Sequence, residues 1–258
     1  TLSKQHYESA TVYVSLTIKL IPTTATASKT TESIEWGLST SIRVTYNDSR
    51  TGMGVKADTA TFTIQNKTWT YSGSLVSIDS GVYRLDIDTI TQGLIPGTYT
   101  IVIELSKAHY VSQTLVITLT VTEVKTYAYA QPANVTLYWG EKTEARAYYI
   151  RSRDSAFLES TPSLTILDTT NNTQVSAGVT IILEAEYYRI LVDATKLSDG
   201  HIYAVTIIFQ KAYHETATIT MYIRVLSIPV TLSVVPPIAD IIWGDDYNFT
   251  ITLINALN

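Results

Sequence analysis

One four-residue pattern recurs three times along this chain at an almost constant interval. A Trp-Gly pair keeps the same spacing at Trp36, Trp139 and Trp243. The steps between copies are 103 and 104 residues, which is the size of a small protein domain. The chain is therefore predicted to be a tandem array of one folding unit. The three copies of the pattern are Lys4-Gln5-His6-Tyr7, Lys107-Ala108-His109-Tyr110 and Lys211-Ala212-Tyr213-His214.

This period divides the 258 residues into two complete units and two partial ones. Each complete unit is long enough to bury its own core. The partial units allow two interpretations: the chain is a segment of a longer repeat protein, or the strand within residues 2–20 completes the open unit of a neighbouring copy by strand addition. The predicted boundaries are 1–21 for the terminal strand of a preceding repeat, 22–124 and 125–228 for complete domains, and 229–258 for the first strands of a further repeat.

Apolar residues alternate with polar ones throughout each unit, which predicts strands with one buried face. After the four-residue pattern, the alternation predicts strands over Val12–Ile18, Thr114–Val121 and Ile219–Val225. Residues 69–78 are predicted to form a single strand. Strand signals arrive every 8 to 15 residues, and no sustained 3.6-residue period is present. We therefore expect an all-β chain of antiparallel sandwiches with Greek-key connections and about seven strands each.

Composition narrows the chemistry that is available to the chain. With no cysteine, stability must come from packing rather than disulfides, and a thiolate metal site is impossible. Only 16% of the residues are charged, the net charge is -5 and basic residues do not cluster, which argues against binding nucleic acid. The sequence contains no run of 18 apolar residues, so no membrane span is predicted in this segment.

The segments after residues 97 and 200 carry a resemblance to a known family. They read Gly97-Thr98-Tyr99-Thr100-Ile101 followed by Lys107–Val121, with weaker counterparts at Gly200–Val205 and Lys211–Val225. This arrangement resembles the tandem immunoglobulin-like repeats of large bacterial and archaeal cell-surface proteins. The resemblance implies immunoglobulin-like sandwiches. The Cys-Trp-Cys core of antibody domains is missing, so antibody-like recognition is not implied.

Several recurring residues are predicted to be structural markers of the repeat. We expect the three tryptophans to pack where the first sheet crosses to the second. Lys107 and Lys211 mark the turn before the last strand. Tyr99 and Tyr203 follow a glycine at the start of a strand and could make the tyrosine-corner hydrogen bond that fixes a Greek-key crossing.

Five Asn-x-Ser/Thr triplets predict possible N-glycosylation and, with it, an extracellular, cell-surface location. Four of the asparagines are predicted to lie in turns or loops, and Asn248 on the outward phase of a strand. The acceptors are Asn47, Asn66, Asn134, Asn171 and Asn248.

Catalytic and metal-binding candidates are few, and each has a structural alternative that we favour. In the recurring turn, His6, His109 and His214 do not keep one position, which a metal ligand would need; His201 stands alone. A calcium site is possible but disfavoured, because no calcium-loop motif accompanies the carboxylates Asp86, Asp88, Asp193, Asp245 and Asp246. A sugar-binding platform would have to use Trp69, Tyr71, Tyr13 and Tyr222, for which core or cross-strand packing is the preferred interpretation.

The sequence thus favours a non-enzymatic extracellular structural protein. Short joints at residues 121–125 and 225–229 predict a stiff array, suited to an adhesin stalk or to the body of a surface fibre or layer. Its partners would be neighbouring repeats, copies of itself in a homopolymer, and covalent N-glycans, with no cofactor. The alternatives are a carbohydrate- or protein-binding surface module, or the non-catalytic spacer of a secreted enzyme.

Overall fold

The structure is a computed structural model that describes residues 1–235, 237 and 240–256. The chain separates into two compact units, Thr1–Glu123 and Val124–Asn258. The partial domain predicted over 229–258 includes residues 236, 238, 239, 257 and 258, which lie outside the described residues.

The first unit contains a two-layer sandwich of nine strands. One sheet has the strand order β1-β3-β7-β6 and the other the order β2-β9-β8-β4-β5. Neighbouring strands are antiparallel except β2 and β9, which run parallel. The strands are β1 (Thr23–Ala27), β2 (Thr31–Glu35), β3 (Ser39–Asp48), β4 (Thr59–Gln65), β5 (Thr70–Ser74), β6 (Val76–Asp79), β7 (Val82–Asp88), β8 (Gly97–Ser106) and β9 (Gln113–Thr122).

The second unit repeats this plan strand for strand. Its sheets have the orders β10-β12-β16-β15 and β11-β18-β17-β13-β14, with β11 and β18 parallel. A single 3-10 turn, Ala194–Lys196, follows β16. The strands are β10 (Thr126–Gln131), β11 (Asn134–Tyr138), β12 (Lys142–Arg151), β13 (Ser163–Asp168), β14 (Thr173–Val175), β15 (Val179–Leu183), β16 (Tyr188–Asp193), β17 (Ile202–Phe209) and β18 (Ala217–Leu226).

Both sandwiches have the immunoglobulin-like arrangement. Four strands form one sheet in the order first, second, fifth, fourth of the standard domain, and the opposing sheet contains its third, sixth and seventh strands. The chain crosses repeatedly between the sheets, which gives the predicted Greek-key connections. Nine strands are present where the sequence predicts about seven, because two short strands per sandwich, β2 and β5 or β11 and β14, add to the sheet that contains the last strand.

Each sandwich is closed by a core of its own, formed by the inward phase of every strand. Along β3, Ile42, Val44 and Tyr46 are fully buried while Ser41 and Arg43 are exposed. Burial of each such aliphatic side chain contributes about 1.5–3 kcal/mol, so the alternation fixes which face of the strand turns inward.

The prediction of a single strand over residues 69–78 is wrong. The structure divides it at Leu75 into β5 and β6, which belong to opposite sheets. Leu75 is 8% exposed and its N–H donates to the carbonyl of Ala60, so the chain changes sheets with an apolar side chain inside the sandwich. The sequence alternation continues through this crossing and therefore does not reveal it.

The strand predicted over Val12–Ile18 is also absent from the structure. Residues 11–20, all of which are described, form no strand, and Val12, Val14, Leu16 and Ile18 are 81–88% exposed. The equivalent strands β9 and β18 each pair with the strand before them in the chain. Residues 12–18 pair with none of the described strands and therefore form no ladder.

A two-stranded sheet follows β18. Strands β19 (Val230–Val235) and β20 (Thr250–Asn255) pair antiparallel, with Val230 opposite Asn255. This register matches the pairing of β1 with β3, in which Thr23 lies opposite Asp48. These two strands form a sheet of their own within the segment over which the sequence predicts a further repeat.

Candidate functional site

The recurring four-residue pattern forms the turn before the last strand of each sandwich. In all three copies the fourth residue donates its N–H to the carbonyl of the lysine, at 2.9–3.1 Å. The third residue has a left-handed backbone, with φ of 71° at His6, 69° at His109 and 64° at Tyr213. The pattern thus repeats a backbone conformation, which explains how histidine and tyrosine can exchange order in the third copy.

The two ring positions of this turn have different surroundings. The third residue faces solvent: His109 is exposed and Tyr213 is 39% exposed. The fourth residue turns inward, because Tyr110 packs against the core and His214 is 8% exposed. The histidine nitrogens of the copies consequently lie in unlike environments, as expected for residues without a shared metal-binding role.

The same turn holds the residue that lies two positions before the first strand of its own sandwich. Ile21 donates to the carbonyl of His109 and accepts from the N–H of Val111, both at 2.9 Å. Val124 makes the matching pair of bonds with Tyr213 and Glu215, at 2.9 and 3.0 Å, and is 1% exposed. The start of each sandwich is thereby fixed to the turn before its last strand.

The predicted lysine markers tie this turn to the loop between the second and third strands of the standard domain. The ammonium of Lys107 donates to the carbonyl of Lys56 at 3.0 Å, and Lys211 donates to the carbonyl of Glu159 at 3.3 Å. The bonds occupy equivalent places in the two units. Both lysines act through hydrogen bonds to backbone at one end of the sandwich.

The Trp-Gly pairs form a second repeated turn, between β2 and β3 and between β11 and β12. Gly37 and Gly140 have positive φ, at 85° and 97°. The backbone N–H of Trp36 donates to the carbonyl of Thr122, and that of Trp139 to the carbonyl of Leu226, which joins the turn to the end of the last strand.

The indole rings themselves have unequal environments. Trp36 is partly buried and packs against the first core. Trp139 is 44% exposed and Trp243 is 98% exposed. Packing between the two sheets, which the sequence predicts for all three, therefore describes only Trp36, and the Trp-Gly pair recurs as a backbone turn.

Both tyrosines nominated for a tyrosine corner make that hydrogen bond. The Tyr99 hydroxyl donates to the carbonyl of Ile95 at 2.9 Å and accepts from its N–H at 3.1 Å. Tyr203 accepts from the N–H of Ser198 at 2.7 Å and lies 3.4 Å from its carbonyl oxygen. Both rings are almost fully buried, so each bond anchors the loop that crosses between the sheets.

The aromatic residues nominated for a sugar platform belong to different segments of the chain. Trp69 is partly buried against the core, where it stacks on Tyr71 and meets Tyr99 edge to face. Tyr222 belongs to β18 of the other unit and Tyr13 to the segment before β1. Trp69 and Tyr71 pack as the preferred interpretation has it, whereas Tyr13 is 93% exposed.

A different aromatic surface, which the sequence analysis missed, lies on the outer face of the four-stranded sheet of the second unit. Tyr129 and Tyr148 lie opposite each other on β10 and β12, with ring centres 4.8 Å apart and planes 18° from parallel. Tyr127 extends the row at 6.3 Å from Tyr129, and Tyr187 lies 6.3 Å from Tyr148. We call these four residues the tyrosine face.

Two arginines border the tyrosine face. The guanidinium of Arg146 lies 4.7 Å from the ring centre of Tyr187, and this side chain has no carboxylate partner among the residues that the structure describes. Arg189, opposite Arg146 on β16, pairs with Glu144 at 3.4 Å and with Glu184 at 2.9 Å. A groove of about 390 Å³ lies on this face. It is lined by Gln131, Glu144, Ala145, Arg146, Tyr148, Tyr187 and Arg189.

The first unit carries no such surface at the matching positions. Where the second unit has Tyr127, Tyr129 and Tyr148, register places Thr24, Thr26 and Thr45. Thr26 and Thr45 bond to each other through their hydroxyl groups at 2.7 Å. Arg43 corresponds to Arg146, so the arginine is common to both units and the tyrosines are not. An internal comparison of this kind is the signal that could have found the surface.

Three of the five carboxylates considered for calcium bond to other side chains of the protein. Asp86 pairs with Arg84 at 2.7 Å, and Asp88 accepts from the hydroxyl of Ser39 at 2.6 Å. Asp193 accepts from Thr195 and pairs with Lys142 at 3.0 Å; these bonds, the one from Thr195 first, lower its pKa to about 2. Asp245 and Asp246 are exposed. Over the described ranges, no group of three or more potential metal ligands comes together.

His201 has a partner that its sequence context does not indicate. Its Nδ1 lies 2.6 Å from a carboxylate oxygen of Asp168, which is 4% exposed. Burial opposes ionisation of Asp168, but the hydrogen bonds from His201 and from the N–H of Thr170 outweigh it and lower the pKa of the carboxyl. The pair joins the end of β13 to the start of β17.

The five glycosylation acceptors differ in accessibility. Asn134, Asn171 and Asn248 are exposed, whereas Asn47 and Asn66 are half-buried. Asn47 lies within β3 and Asn134 begins β11, so neither is in the predicted turn or loop, since the ladders with β1 and β18 include these residues. Asn248 precedes β20 and is not part of a strand. The Asn66 amide oxygen accepts from the N–H groups of Thr68 and Trp69, at 3.0 and 2.9 Å.

A search of the described residues for a helix long and apolar enough to cross a membrane finds none. No protein-family model matches the sequence, and no curated protein matches it.

Similar solved structures include several tandem immunoglobulin-like fragments. The I-band fragment I67–I69 of titin is 12% identical, with a TM-score of 0.32, and the match covers 89% of this chain and 86% of that one. Titin domains A168–A170 are 10% identical, with a TM-score of 0.38 and coverages of 77% and 66%. The adhesin InvE of Yersinia pseudotuberculosis is 15% identical, with a TM-score of 0.32 and coverages of 77% and 58%. These likenesses concern the fold alone.

Proposed function

We propose that this chain is an extracellular structural protein at the cell surface, in which tandem immunoglobulin-like units form the stalk of an adhesin or the body of a surface fibre or layer. Its role is mechanical: the units hold a distal element away from the cell or give a fibre its length. No catalytic step and no cofactor belong to this role.

The observation that carries the proposal is the way each unit begins. Only three residues, Glu123 to Lys125, separate β9 from β10, and the middle one, Val124, is buried and bonded on both sides to the turn of its own unit. Ile21 is held in the same way. A joint with so few unconstrained residues limits bending, since flexible reach grows with the number of free residues.

The independent cores support the same role. Each unit buries its own apolar cluster, and the hydrogen bonds of Tyr99 and Tyr203 repeat in both. An array of self-contained sandwiches can bear load or be extended by further copies, because no unit depends on another for its core. The triplets with exposed asparagines add support for a surface location, since attached glycans would face solvent.

The proposal is tested by measuring bending at the joint in the complete 258-residue chain. Small-angle scattering and electron microscopy of single particles should give one narrow distribution of end-to-end distance. A variant with six Gly/Ser residues inserted between Glu123 and Val124 should give a broader one. Equal breadth for both chains would contradict a stiff joint.

Location needs a separate experiment, because stiffness does not depend on compartment. An antibody raised against the 258-residue chain should label intact cells of the source organism, and protease treatment of those cells should remove the label. Labelling only after permeabilisation would reject the surface role. Electron microscopy of labelled cells would further distinguish single stalks from a homopolymeric fibre or layer.

The two alternative functions call for different observations. A catalytic domain elsewhere in the full-length gene product would favour the spacer of a secreted enzyme. A binding module is favoured by one feature, the tyrosine face of the second unit.

A further inference from the structure

We propose that the tyrosine face of the second unit binds acidic carbohydrate, with a sugar ring lying against Tyr129 and Tyr148 and a sugar carboxylate held by Arg146. This assigns a ligand site to one unit of the array and goes beyond its mechanical role.

The aromatic part of the argument rests on exposure and alignment. Tyr127 and Tyr129 are each 43% exposed, although an aromatic ring left in water forgoes the free energy of burial. Their planes are 14° from parallel, and that of Tyr148 is 18° from Tyr129. Rings stacked in this way cover part of one another's faces and present the apolar rim of the row, with its hydroxyl groups, to solvent, which suits the C–H groups and the hydroxyl groups of a pyranose ring.

The charge part of the argument rests on Arg146. Arg189 pairs with both Glu144 and Glu184, so this cluster carries a net charge of -1, whereas the guanidinium of Arg146 forms no ion pair with a carboxylate in the described part of the chain. The ring of Tyr187 holds the guanidinium of Arg146 by a cation-π contact. None of the described residues accepts a hydrogen bond from that guanidinium, so its N–H donors can bind a ligand. A planar guanidinium binds a carboxylate through two parallel hydrogen bonds, so an acidic sugar complements this site better than a neutral one.

The dimensions of the groove agree with a saccharide ligand. Its volume of about 390 Å³ lies at the small end of the range of roughly 300–1,000 Å³ that is usual for small-molecule sites. Gln131 adds an amide beside Arg146. The tyrosine row continues along β10 beyond the groove, which would allow a second sugar of an oligomer to stack on Tyr127.

A second copy of the chain is a poorer occupant of this face. A symmetric contact between two tyrosine faces would bring the unpaired guanidinium of Arg146 towards its own counterpart, and like charges oppose such an interface. The chain also carries threonines on the equivalent face of the first unit, so the tyrosines are not a general requirement of packing in the repeat.

The experiment uses the complete 258-residue chain and two matched probes, tetragalacturonate and its methyl ester. The probes share a sugar backbone and differ in the charge of the carboxyl groups. Calorimetric titration should show binding of the acid and affinity for the ester that is weaker by roughly tenfold or more. No binding of the acid, or equal affinity for acid and ester, would overturn the proposal.

Three variants locate the site. Arg146→Gln should weaken binding of the acid by roughly tenfold or more, and the double change Tyr129→Thr with Tyr148→Thr, which installs the residues of the first unit, should weaken it at least as much. Arg43→Gln, at the matching position of the first unit, should leave binding unchanged. All substituted side chains lie on outer sheet faces, and a circular dichroism spectrum for each variant verifies folding.

Two results would overturn this assignment. An equal loss on Arg43→Gln would move the site away from the tyrosine face. Concentration-dependent dimerisation in sedimentation that the double variant abolishes, without binding of tetragalacturonate, would show that the face meets a second copy of the chain instead. Neither result bears on stiffness at the joint, so this proposal and the mechanical role can fail independently.

Discussion

The hydroxyl oxygen of Tyr99 lies 2.9 Å from the carbonyl oxygen of Ile95 and 3.1 Å from its backbone nitrogen. One buried side chain thus satisfies both polar groups of a residue in the loop that crosses between the two sheets. In the second unit, Tyr203 bonds to Ser198 in the same way. The relationship ties the start of β8 or β17 to the crossing that defines the fold.

Removal of this hydroxyl should destabilise the first unit. Tyr99→Phe keeps the buried ring but leaves the N–H and carbonyl of Ile95 without their partner, and we expect the free energy of unfolding to fall by about 1–2 kcal/mol. Urea denaturation followed by tryptophan fluorescence measures this change, since Trp36 and Trp69 belong to the first unit. Tyr71→Phe is the matched control, because its hydroxyl bonds to none of the described residues, and a change of equal size there would contradict the argument.

The left-handed residue of the repeated turn predicts an unusual order of substitutions. At His109, φ of 69° costs a residue with a Cβ roughly 1–2 kcal/mol, and a β-branched side chain fits it least well. We expect His109→Val to lower the free energy of unfolding by about 1–2 kcal/mol and His109→Gly to leave it unchanged or raise it slightly. Thermal unfolding of both variants gives the comparison. Ala108→Val, one residue earlier, should change stability by less than about 0.5 kcal/mol, and a histidine-specific role would instead make valine and glycine equally harmful.

The repeat made most of the fold predictable from the sequence. The alternation after the four-residue pattern predicts the inward phase of the last strand of each sandwich, and Ile117, Leu119 and Val121 of β9 are buried as that phase requires. Tyr99 and Tyr203 could be assigned their hydrogen bond because a glycine and a strand start give the local context. The alternation does not predict which strands pair. Residues 12–18 alternate as a strand would but pair with none of the described strands, and the alternation continues through Leu75, where the chain crosses from one sheet to the other.

The candidate site was less predictable because it depends on differences between copies. The residues that the copies share include Trp36 and Trp139. These two residues form the same backbone turn, but their rings have different environments. The tyrosine face joins residues of β10, β12 and the turn before β16, which only the register of the sheet brings together. Single tyrosines spaced along a sequence do not reveal that Tyr129 and Tyr148 are neighbours.

Accessibility predicts which acceptor asparagines would carry sugar. In a host that performs N-glycosylation, we expect occupancy at Asn134 and Asn171, which are exposed, and low occupancy at Asn47, which is half-buried. Mass spectrometry of glycopeptides, before and after enzymatic removal of the glycans, measures occupancy at each site. Substitution of Asn134 and Asn171 by Gln provides the control. High occupancy at Asn47 with none at Asn134 would contradict a dependence on the folded surface.

Acid should destabilise the second unit through Asp193. Its carboxylate accepts hydrogen bonds from Thr195 and pairs with Lys142, which lowers its pKa in the folded chain to about 2, below the ordinary value of 3.8. The unfolded chain therefore takes up the proton first as the pH falls. The stabilisation is present above about pH 4 and is lost progressively towards about pH 2.

Urea midpoints measured between pH 7 and pH 2 test this dependence. Asp193→Asn should lower the midpoint of the second unit at pH 7 and reduce the further fall on acidification, without abolishing it, because Asp154 and Asp168 also have lowered pKa values. The exposed Asp240 is the control position, where Asn should leave both quantities unchanged. If Asp193→Asn leaves the pH dependence of the second unit as steep as in the unsubstituted chain, the stabilisation by Thr195 and Lys142 does not operate through ionisation of this carboxyl.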